Sequence, residues 1–203
     1  MEKLLNKAKD IKIIFFDIDD TLRVKDTGFM PASLTHIFEI LHQKGILTGI
    51  ATGRNLCGVV PEIKALHPDF FVTANGAYVI DKSDQVIYKQ SLPQKVVLDI
   101  VEWLTSSSAE YVVYGADQVV ASAWSDTMQS AIEPIYGQLP IDPDYHLTHD
   151  IYQMVTMSEH DDQLTLPEKL SESVRMVRWH EHSSDIVPLN GSKAVGVSQV
   201  LDQ

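Results

Sequence analysis

The chain has 203 residues, and its 28 acidic and 16 basic side chains give a formal charge of −12 at pH 7. Since a domain commonly has about 100–200 residues, the chain has room for one domain and a smaller companion. An acidic exterior repels nucleic-acid phosphates and anionic membrane surfaces, so we expect neither class of partner. Composition does not indicate an oligomeric state.

The chain has a single cysteine, Cys57, so it cannot form an intrachain disulfide or a thiolate metal cluster. The charged N-terminal residues lack the apolar stretch of a secretory signal. No apolar run approaches the roughly 18 residues that a membrane-spanning helix needs. We therefore predict a cytoplasmic protein, in which Cys57 is a small buried residue rather than a nucleophile.

Apolar runs and helical spacing alternate in the first part of the chain. In order, they predict a strand covered on both faces at 11–17, a helix at 31–45, a strand at 46–51, a helix at 55–66 that is interrupted at Pro61, and a strand at 70–73. This alternation of strands and helices is typical of a parallel α/β sheet.

The pattern changes near residue 77, where a hairpin and a mixture of strands and helices begin. The predicted segments are strands at 77–80 and 86–88, a helix at 93–107, strands at 111–114 and 118–121, a helix at 126–136, a strand at 151–157, a helix at 164–171, strands at 174–179 and 185–189, and a helix at 194–201. We predict one α/β domain made of residues 1–80 and 183–203. An α+β domain with an antiparallel sheet, residues 81–182, is inserted into it.

The strongest chemical signal follows the first predicted strand, where Asp17 and Asp19 flank Ile18. Side chains two residues apart in extended backbone point the same way, so the two carboxylates converge while Ile18 packs inward. Ligands of open α/β sheets bind at this end of the strands. Two adjacent carboxylates need a nearby cation, and an oxygen-only donor set suits Mg²⁺.

Two weaker signals share this position in the predicted sheet. Thr52, Gly53 and Arg54 follow the second strand, where a hydroxyl and exposed backbone amides suit a phosphate group. Lys193 precedes the last helix within residues 190–193 and supplies a point charge that offsets phosphate negativity. Arg54 has two interpretations, a substrate contact or a residue that closes the loop, and the sequence does not choose between them.

With these motifs in order, the chain resembles the haloacid dehalogenase (HAD) superfamily of phosphohydrolases, and within it the Cof-type members. Residues 17–22 match the first motif, residues 52–54 the second and Lys193 the third, while residues 74–77 match the segment that leads into the cap. The resemblance implies a Rossmann-like parallel-sheet core with an inserted α+β cap domain. It extends over essentially the whole chain.

The resemblance also implies roles for individual residues. Asp17 is the nucleophile that becomes phosphorylated, and Asp19 protonates the leaving alcohol and then activates water. Mg²⁺ binds the Asp17 carboxylate and the Asp19 backbone carbonyl. The phosphate ligands are Thr52, Gly53 and Lys193, and the candidate substrate-binding residues are Arg54, Asn75 and Asn190. Asp20 points away from Asp17, which indicates a structural role.

One motif of the family is missing from this sequence. The family pattern places a Gly-Asp pair and then Asn-Asp after the lysine helix, where they complete the metal site. Neither dipeptide occurs here, and Asp202 is the one acidic residue after Lys193. We therefore expect a core that is incomplete at its C-terminus, without the third metal carboxylate, as in a truncated form of a longer phosphatase.

The sequence thus predicts a Mg²⁺-dependent phosphatase that acts on a small phosphorylated metabolite, such as a sugar phosphate. A phosphosugar mutase of the same superfamily and a non-catalytic phosphate-binding module remain alternatives. Other residues are interpreted as structural. We expect solvated histidines at 146, 149, 160, 180 and 182, turn or surface carboxylates at 81, 84, 161 and 162, and tryptophans that pack the cap at 103, 124 and 179. The alternative for the tryptophans is that one of them lines the substrate pocket.

Overall fold

A computed structural model gives the structure, and it describes residues 10–203. The charged N-terminal segment of the sequence analysis lies outside these residues. The described chain forms two five-stranded sheets with helices packed against both, which confirms the predicted α/β class with an additional α+β part. Within this part of the chain, no helix combines the length and apolar character needed to cross a bilayer.

The first sheet contains five strands, in spatial order β1 Ile13–Phe16, β2 Leu47–Ala51, β3 Phe70–Thr73, β4 Tyr78–Asp81 and β5 Val86–Lys89. Strands β1, β2 and β3 are parallel, whereas β4 and β5 form an antiparallel hairpin at the other edge. All four residues of β1 are half-buried. Phe16 packs against one apolar cluster, and Ile13 and Phe15 pack against another on the opposite face, so both faces of the strand are covered as expected. Among residues 10–203, β1 pairs with β2 alone and forms an edge of the sheet.

Seven helices surround the sheets in the described chain: α1 Ser33–Gln43, α2 Pro61–Lys64, α3 Gln94–Ser106, α4 Asp126–Ala131, α5 Glu133–Tyr136, α6 Glu168–Ser171 and α7 Lys193–Leu201. Two predicted helices are each divided. Residues 55–66 form a 3₁₀ turn and then α2, and residues 126–136 form α4 and α5. In both cases a proline lies in the first turn of the second helix. A backbone N–H at that position has no partner within the helix, so proline loses no hydrogen bond there.

The first sheet has an apolar layer on each face. On one side, Phe38 of α1 and Ile63 of α2 pack with Ile18 and Ile50, and all four are essentially inaccessible to solvent. On the other side, Val200 of α7 belongs to a second cluster with buried residues of β2, β3 and β4. The sheet is therefore covered by α1 and α2 on one face and by α7 on the other.

The second sheet is antiparallel, with spatial order β7 Val119–Ala121, β6 Glu110–Tyr114, β8 Gln153–Met157, β10 Ser183–Pro188 and β9 Val174–His180. One face packs against α3 and α6 through a cluster that includes Ile100, Leu104 and Leu170. The other face packs against α4 through Met128 and includes Tyr114 and Tyr152. This second face is the one that meets the first sheet.

Strand pairing bears on the predicted domain limits of 1–80, 81–182 and 183–203. The hairpin strand β5 belongs to the first sheet, since it pairs with β4 through a short turn. Strand β10 belongs to the second sheet, because it follows β9 by a tight turn and lies between β9 and β8. We propose that the division follows the sheets, with a core of residues 10–89 and 190–203 and a cap of residues 90–189.

Helix α7 approaches the core closely because two glycines face each other. A Cβ atom at Gly196 would lie 2.6 Å from Cγ1 of Val72 and 2.9 Å from Cα of Gly76. Gly76 has a φ of +94°, and a Cβ there would overlap the carbonyl oxygen of Ser192. The N-terminus of α7, which begins at Lys193, is therefore held directly against the turn after β3.

We expect Gly196→Ala to destabilise the protein. Alanine gains about 1 kcal/mol of helix propensity, but its methyl group must displace the backbone of Gly76, and overpacking of this kind costs about 1–3 kcal/mol. Chemical denaturation should show a net loss of stability. Ser198→Ala, at an exposed position of the same helix, is the control and should not lower stability. An unchanged or higher midpoint for Gly196→Ala would contradict the close packing described here.

Candidate active site

A cavity of about 240 Å³ lies between the carboxyl ends of the parallel strands and the second sheet. Both sheets contribute to its wall. The lining residues are Asp17, Asp19, Lys25, Gly53, Arg54, Asn75, Tyr114, Ile135, Tyr136, Val177, Trp179, Asp185 and Lys193. The structure therefore brings together most of the residues that the motifs single out, at the strand ends where the sequence places them.

Asp17 lies immediately after β1, and each of its two carboxylate oxygens accepts a hydrogen bond. Its Oδ1 accepts a hydrogen bond of 2.8 Å from the amide of Ile18, and Ile18 is completely buried. Its Oδ2 accepts a bond of 2.6 Å from Nζ of Lys193. The side chains of Asp17 and Lys193 are 40% and 36% exposed, so a ligand in the cavity can reach both.

Asp19 forms a two-point ion pair with Arg54. Nε of Arg54 donates to Oδ2 of Asp19 at 2.9 Å, and Nη2 donates to Oδ1 at 2.7 Å. Nη1 donates to the carbonyl of Gly58 at 2.9 Å, and the side chain is only 5% exposed. Burial lowers the pKa of Arg54, but hydrogen bonding and the charge of Asp19 outweigh it and raise the pKa overall. Arg54 therefore holds Asp19, a contact that neither sequence interpretation included.

The loop after β2 places Gly53 on the cavity wall. Thr52 is buried, and its Oγ1 accepts a hydrogen bond of 3.1 Å from the amide of Arg54. A Cβ at Gly53 would lie 3.2 Å from Oδ1 of Asn75, so the absence of a side chain permits this close approach. Asn190 is exposed and lies outside the cavity lining, unlike the other two candidate substrate-binding residues, Arg54 and Asn75.

Asn75 connects the loop to the second sheet. It lies in the turn after β3 with a φ of +53°, a left-handed conformation that asparagine tolerates better than most residues. Its Nδ2 donates to Oε1 of Gln153 at 2.9 Å and to Oδ2 of Asp185 at 2.8 Å. Burial raises the pKa of Asp185 to about 7, although hydrogen bonding from Asn75 and the charge of Lys193 oppose the rise.

The donor chemistry of this cavity suits a hard cation. The Asp17 carboxylate and the Asp19 backbone carbonyl are oxygen donors, and Mg²⁺ typically takes one or two carboxylates while it keeps several waters. Residues 10–203 contain no group of three or more His, Cys, Asp or Glu side chains placed to hold a metal. The oxygen chemistry of the two predicted donors is compatible with Mg²⁺, and their role as its ligands stays a prediction.

Several lining residues were missed or interpreted otherwise from the sequence. Trp179 packs against the apolar cluster of the second sheet and also lines the cavity, which the sequence analysis gave as the alternative for one tryptophan. Nζ of Lys25 lies 4.9 Å from the centre of the Trp179 ring, so a core loop and the second sheet meet there. Asp185 and Tyr136 drew no functional interpretation. The signal available for Asp185 was a carboxylate directly before the apolar residues Ile186 and Val187 of β10.

Three further expectations differ from the structure. Asp161 is fully buried rather than a surface carboxylate, because Thr156 and Ser184 donate hydrogen bonds to it and Arg178 pairs with it at 3.2 Å. His146 is also buried rather than solvated. Cys57 is exposed rather than buried, and it lies in the 3₁₀ turn after Asn55.

Asp20 accepts a hydrogen bond of 3.0 Å from the amide of Lys25, which is compatible with the structural role expected for it.

Sequence relatives include two bacterial proteins named as phosphatases. A protein of Streptococcus pyogenes serotype M6, named "Putative bifunctional phosphatase/peptidyl-prolyl cis-trans isomerase", is 48% identical over 98% of this chain and 43% of its own length. The Bacillus subtilis protein "Putative phosphatase YkrA" is 29% identical over 96% of this chain and 75% of its own. The chain thus spans less than half of the streptococcal relative.

Solved structures share this fold. A hypothetical protein from Geobacillus kaustophilus superposes with a TM-score of 0.81 at 31% identity, over 95% of this chain and 75% of that one. A structure described as a sugar phosphatase of HAD subclass IIB superposes with a TM-score of 0.78 at 21% identity, over 94% and 75%. The second likeness concerns the fold alone.

The model of one protein family covers almost the whole described chain. It is described as haloacid dehalogenase-like hydrolase, and it matches residues 14–203, which include both carboxylates after β1, the loop after β2 and Lys193. This match agrees with the order of motifs along the sequence and with the fold of the solved relatives. The chain belongs to the haloacid dehalogenase-like hydrolases.

Proposed function

We propose that the protein is a Mg²⁺-dependent phosphatase that hydrolyses a small phosphorylated metabolite through a phosphorylated aspartate. The observation that carries the proposal is the pairing of Asp17 with Lys193 and of Asp19 with Arg54 in one cavity. The names of the two sequence relatives support the same reaction class. The cytoplasmic location stays a prediction from the sequence.

In the first step, a carboxylate oxygen of Asp17 attacks phosphorus and the bond to the leaving oxygen breaks. Asp19 gives its proton to that oxygen, so that a neutral alcohol departs. In the second step, Asp19 takes a proton from water as the water oxygen attacks the phosphorylated Asp17. The Asp17 carboxylate is restored and inorganic phosphate leaves. Atoms and charge balance, because the proton that Asp19 donates first is regained from water.

Three groups of this chain neutralise the transferring phosphoryl group. Lys193 supplies a full charge beside Asp17, and we assign the Thr52 hydroxyl and the Gly53 amide to the phosphoryl oxygens. Mg²⁺, when bound to Asp17 and to the Asp19 carbonyl, supplies further positive charge to these oxygens. Phosphate esters resist uncatalysed hydrolysis, so this electrostatic stabilisation is the main requirement of the site.

Arg54 positions Asp19 for both steps. A guanidinium that donates two bonds to a carboxylate fixes its plane as well as its location. A protonated carboxyl has less acceptor capacity than a carboxylate. The protonated form of Asp19 keeps one oxygen that fully accepts from Arg54, while the other carries the proton that it donates.

Replacing Asp17 with Asn should abolish turnover, because an amide cannot serve as the nucleophile. We expect phosphate release from p-nitrophenyl phosphate with Mg²⁺ to fall by at least about 10³-fold. Asp26→Asn, an exposed position in the loop after β1, is the matched control and should keep the rate of the parent. Equal rates for the parent and Asp17→Asn would overturn the assignment.

The products of the parent reaction separate the remaining alternatives. A phosphatase releases inorganic phosphate from a sugar monophosphate, whereas a mutase converts it into a positional isomer. Failure of Mg²⁺ to promote phosphate release from any of a panel of phosphorylated metabolites would favour the non-catalytic phosphate-binding module.

Replacing Arg54 with Met should affect substrates according to their leaving groups. Hydrolysis of an alkyl phosphate needs a well-placed proton donor, and we expect kcat to fall by about 10²-fold when Asp19 loses its orientation. p-Nitrophenyl phosphate releases p-nitrophenolate, a stable anion that needs no proton, so kcat for this substrate should fall less. Arg54→Lys keeps the charge but not the two-point geometry, and its kcat should be intermediate. Identical losses for both substrates would argue against a positioning role.

A further inference from the structure

A short segment of the core lies between the proposed acid–base residue and the cap. It comprises residues 54–58 and ends in the 3₁₀ turn Leu56–Gly58. On one side of the segment, Arg54 binds Asp19. On the other side, the cap residue Tyr136 lies against it. A catalytic consequence of this cap contact rests on the proposed function, because it concerns the placement of Asp19.

Hydrogen bonds within the segment shape the turn. The side chain of Asn55 accepts a bond of 3.0 Å from the amide of Cys57, and its carbonyl accepts a bond of 2.9 Å from the amide of Gly58. Gly58 is buried, and its own carbonyl accepts a bond of 2.9 Å from Nη1 of Arg54. The position of Gly58 therefore helps to fix the guanidinium from a side that Asp19 does not occupy.

Tyr136 makes two contacts with this turn. A Cβ atom at Gly58 would lie only 2.3 Å from Cε1 and 2.8 Å from Cζ of Tyr136, so the ring lies directly on the glycine. The hydroxyl of Tyr136 accepts a hydrogen bond of 2.9 Å from the amide of Asn55. Burial raises the pKa of Tyr136, so this hydroxyl stays protonated well above neutral pH.

The part of the cap that presents Tyr136 is firmly anchored. Tyr136 is the last residue of α5, and α4 and α5 meet at Ile132, which is completely buried in the same apolar cluster as Met128. The ring also packs on Tyr114 of β6, with centroids 5.8 Å apart. A 3₁₀ turn has poorer hydrogen-bond geometry than an α-helix. The turn is therefore the partner that adjusts when the two surfaces meet.

Two interpretations of Tyr136 make different predictions. Tyr136 lines the cavity, so a direct substrate contact is the competing interpretation. A substrate contact would act mainly on KM, according to the shape of the substrate. An effect transmitted through Arg54 to Asp19 would act on kcat, according to how much the leaving group needs a proton. The engagement of the Tyr136 hydroxyl with the Asn55 amide favours the second interpretation.

We propose that Tyr136 is a positioning residue that acts on Asp19 through Gly58 and Arg54. By packing on Gly58 and accepting the Asn55 amide, it fixes the carbonyl that binds Nη1 of Arg54. Arg54 in turn holds both carboxylate oxygens of Asp19. Loss of the Tyr136 contacts should therefore loosen the carboxylate that transfers the proton.

The test compares two esters of similar size whose leaving groups differ in basicity. p-Nitrophenyl phosphate releases a stable anion, whereas the alkoxide of benzyl phosphate has to be protonated. We expect Tyr136→Ala to lower the ratio of kcat for benzyl phosphate to kcat for p-nitrophenyl phosphate about 10-fold. Partial unfolding lowers both kcat values equally and leaves their ratio unchanged. Tyr136→Phe keeps the ring on Gly58 and should restore most of the ratio.

A second variant disturbs the same contact from the side of the core. Gly58→Ala leaves Tyr136 in the chain, but its methyl group would overlap the ring. This variant should lower the ratio in the same direction. Tyr88→Phe removes a tyrosine hydroxyl that donates to Gln90 at 3.0 Å, away from the cavity lining. It is the control and should leave the ratio unchanged.

A double-mutant cycle tests the route through Arg54. In an Arg54→Met background, Tyr136→Ala should change the ratio by less than about 2-fold, since the bridge to Asp19 is already lost. Full additivity of the two changes would overturn the proposal. So would an unchanged ratio in Tyr136→Ala together with a raised KM for both esters, which is the result expected of a substrate contact.

NMR provides a measurement that needs no turnover. The Nε proton of Arg54, which donates to Asp19, should exchange with solvent faster in Tyr136→Ala than in the parent, and at the parent's rate in Tyr88→Phe. Faster exchange in a protein that hydrolyses neither ester would contradict the phosphatase and retain the role of Tyr136. Hydrolysis of both esters with an unchanged ratio in Tyr136→Ala would retain the phosphatase and contradict that role.

Discussion

Each carboxylate at the end of β1 is bound to a cation from a distant part of the chain, and the site depends on these two ion pairs. Asp17 and Lys193 are 176 residues apart, and Asp19 is held by Arg54 after the next strand. In a protein with a formal charge of −12, adjacent carboxylates need local positive charge. The close packing of α7 through Gly196 delivers that charge to Asp17.

The cap is joined to the core by a small number of hydrogen bonds around the cavity. Nδ2 of Asn55 donates to the carbonyl of Gly115 at 2.7 Å. The hydroxyl of Tyr136, which lies on the cavity wall, accepts a hydrogen bond of 2.9 Å from the Asn55 amide. Asn75 adds its bonds to Gln153 and Asp185. Each such bond contributes about 0.5–1.5 kcal/mol net. The apolar contacts of Ala74, Ala77 and Tyr78 with the second sheet add to them.

Segments with strong local patterns were predicted well. The helices α1 and α3, the parallel strands β2 and β3 and the hairpin of β4 and β5 lie within a few residues of their expected positions, because periodicity, proline and glycine act locally. Sheet membership was harder to predict. Nothing in the local sequence of β10 indicates that it pairs with β8, which lies far from it along the chain.

The sequence by itself determined the family, the α/β class and the candidate residues Asp17, Asp19, Gly53 and Lys193, since these lie in short motifs whose spacing reflects one strand end and one helix start. Only the tertiary structure decided that Arg54 binds Asp19, that Asp161 is buried, and that Asp185 and Trp179 line the cavity. The physical reason is that burial and pairing of a charged side chain depend on neighbours that long-range strand pairing brings together.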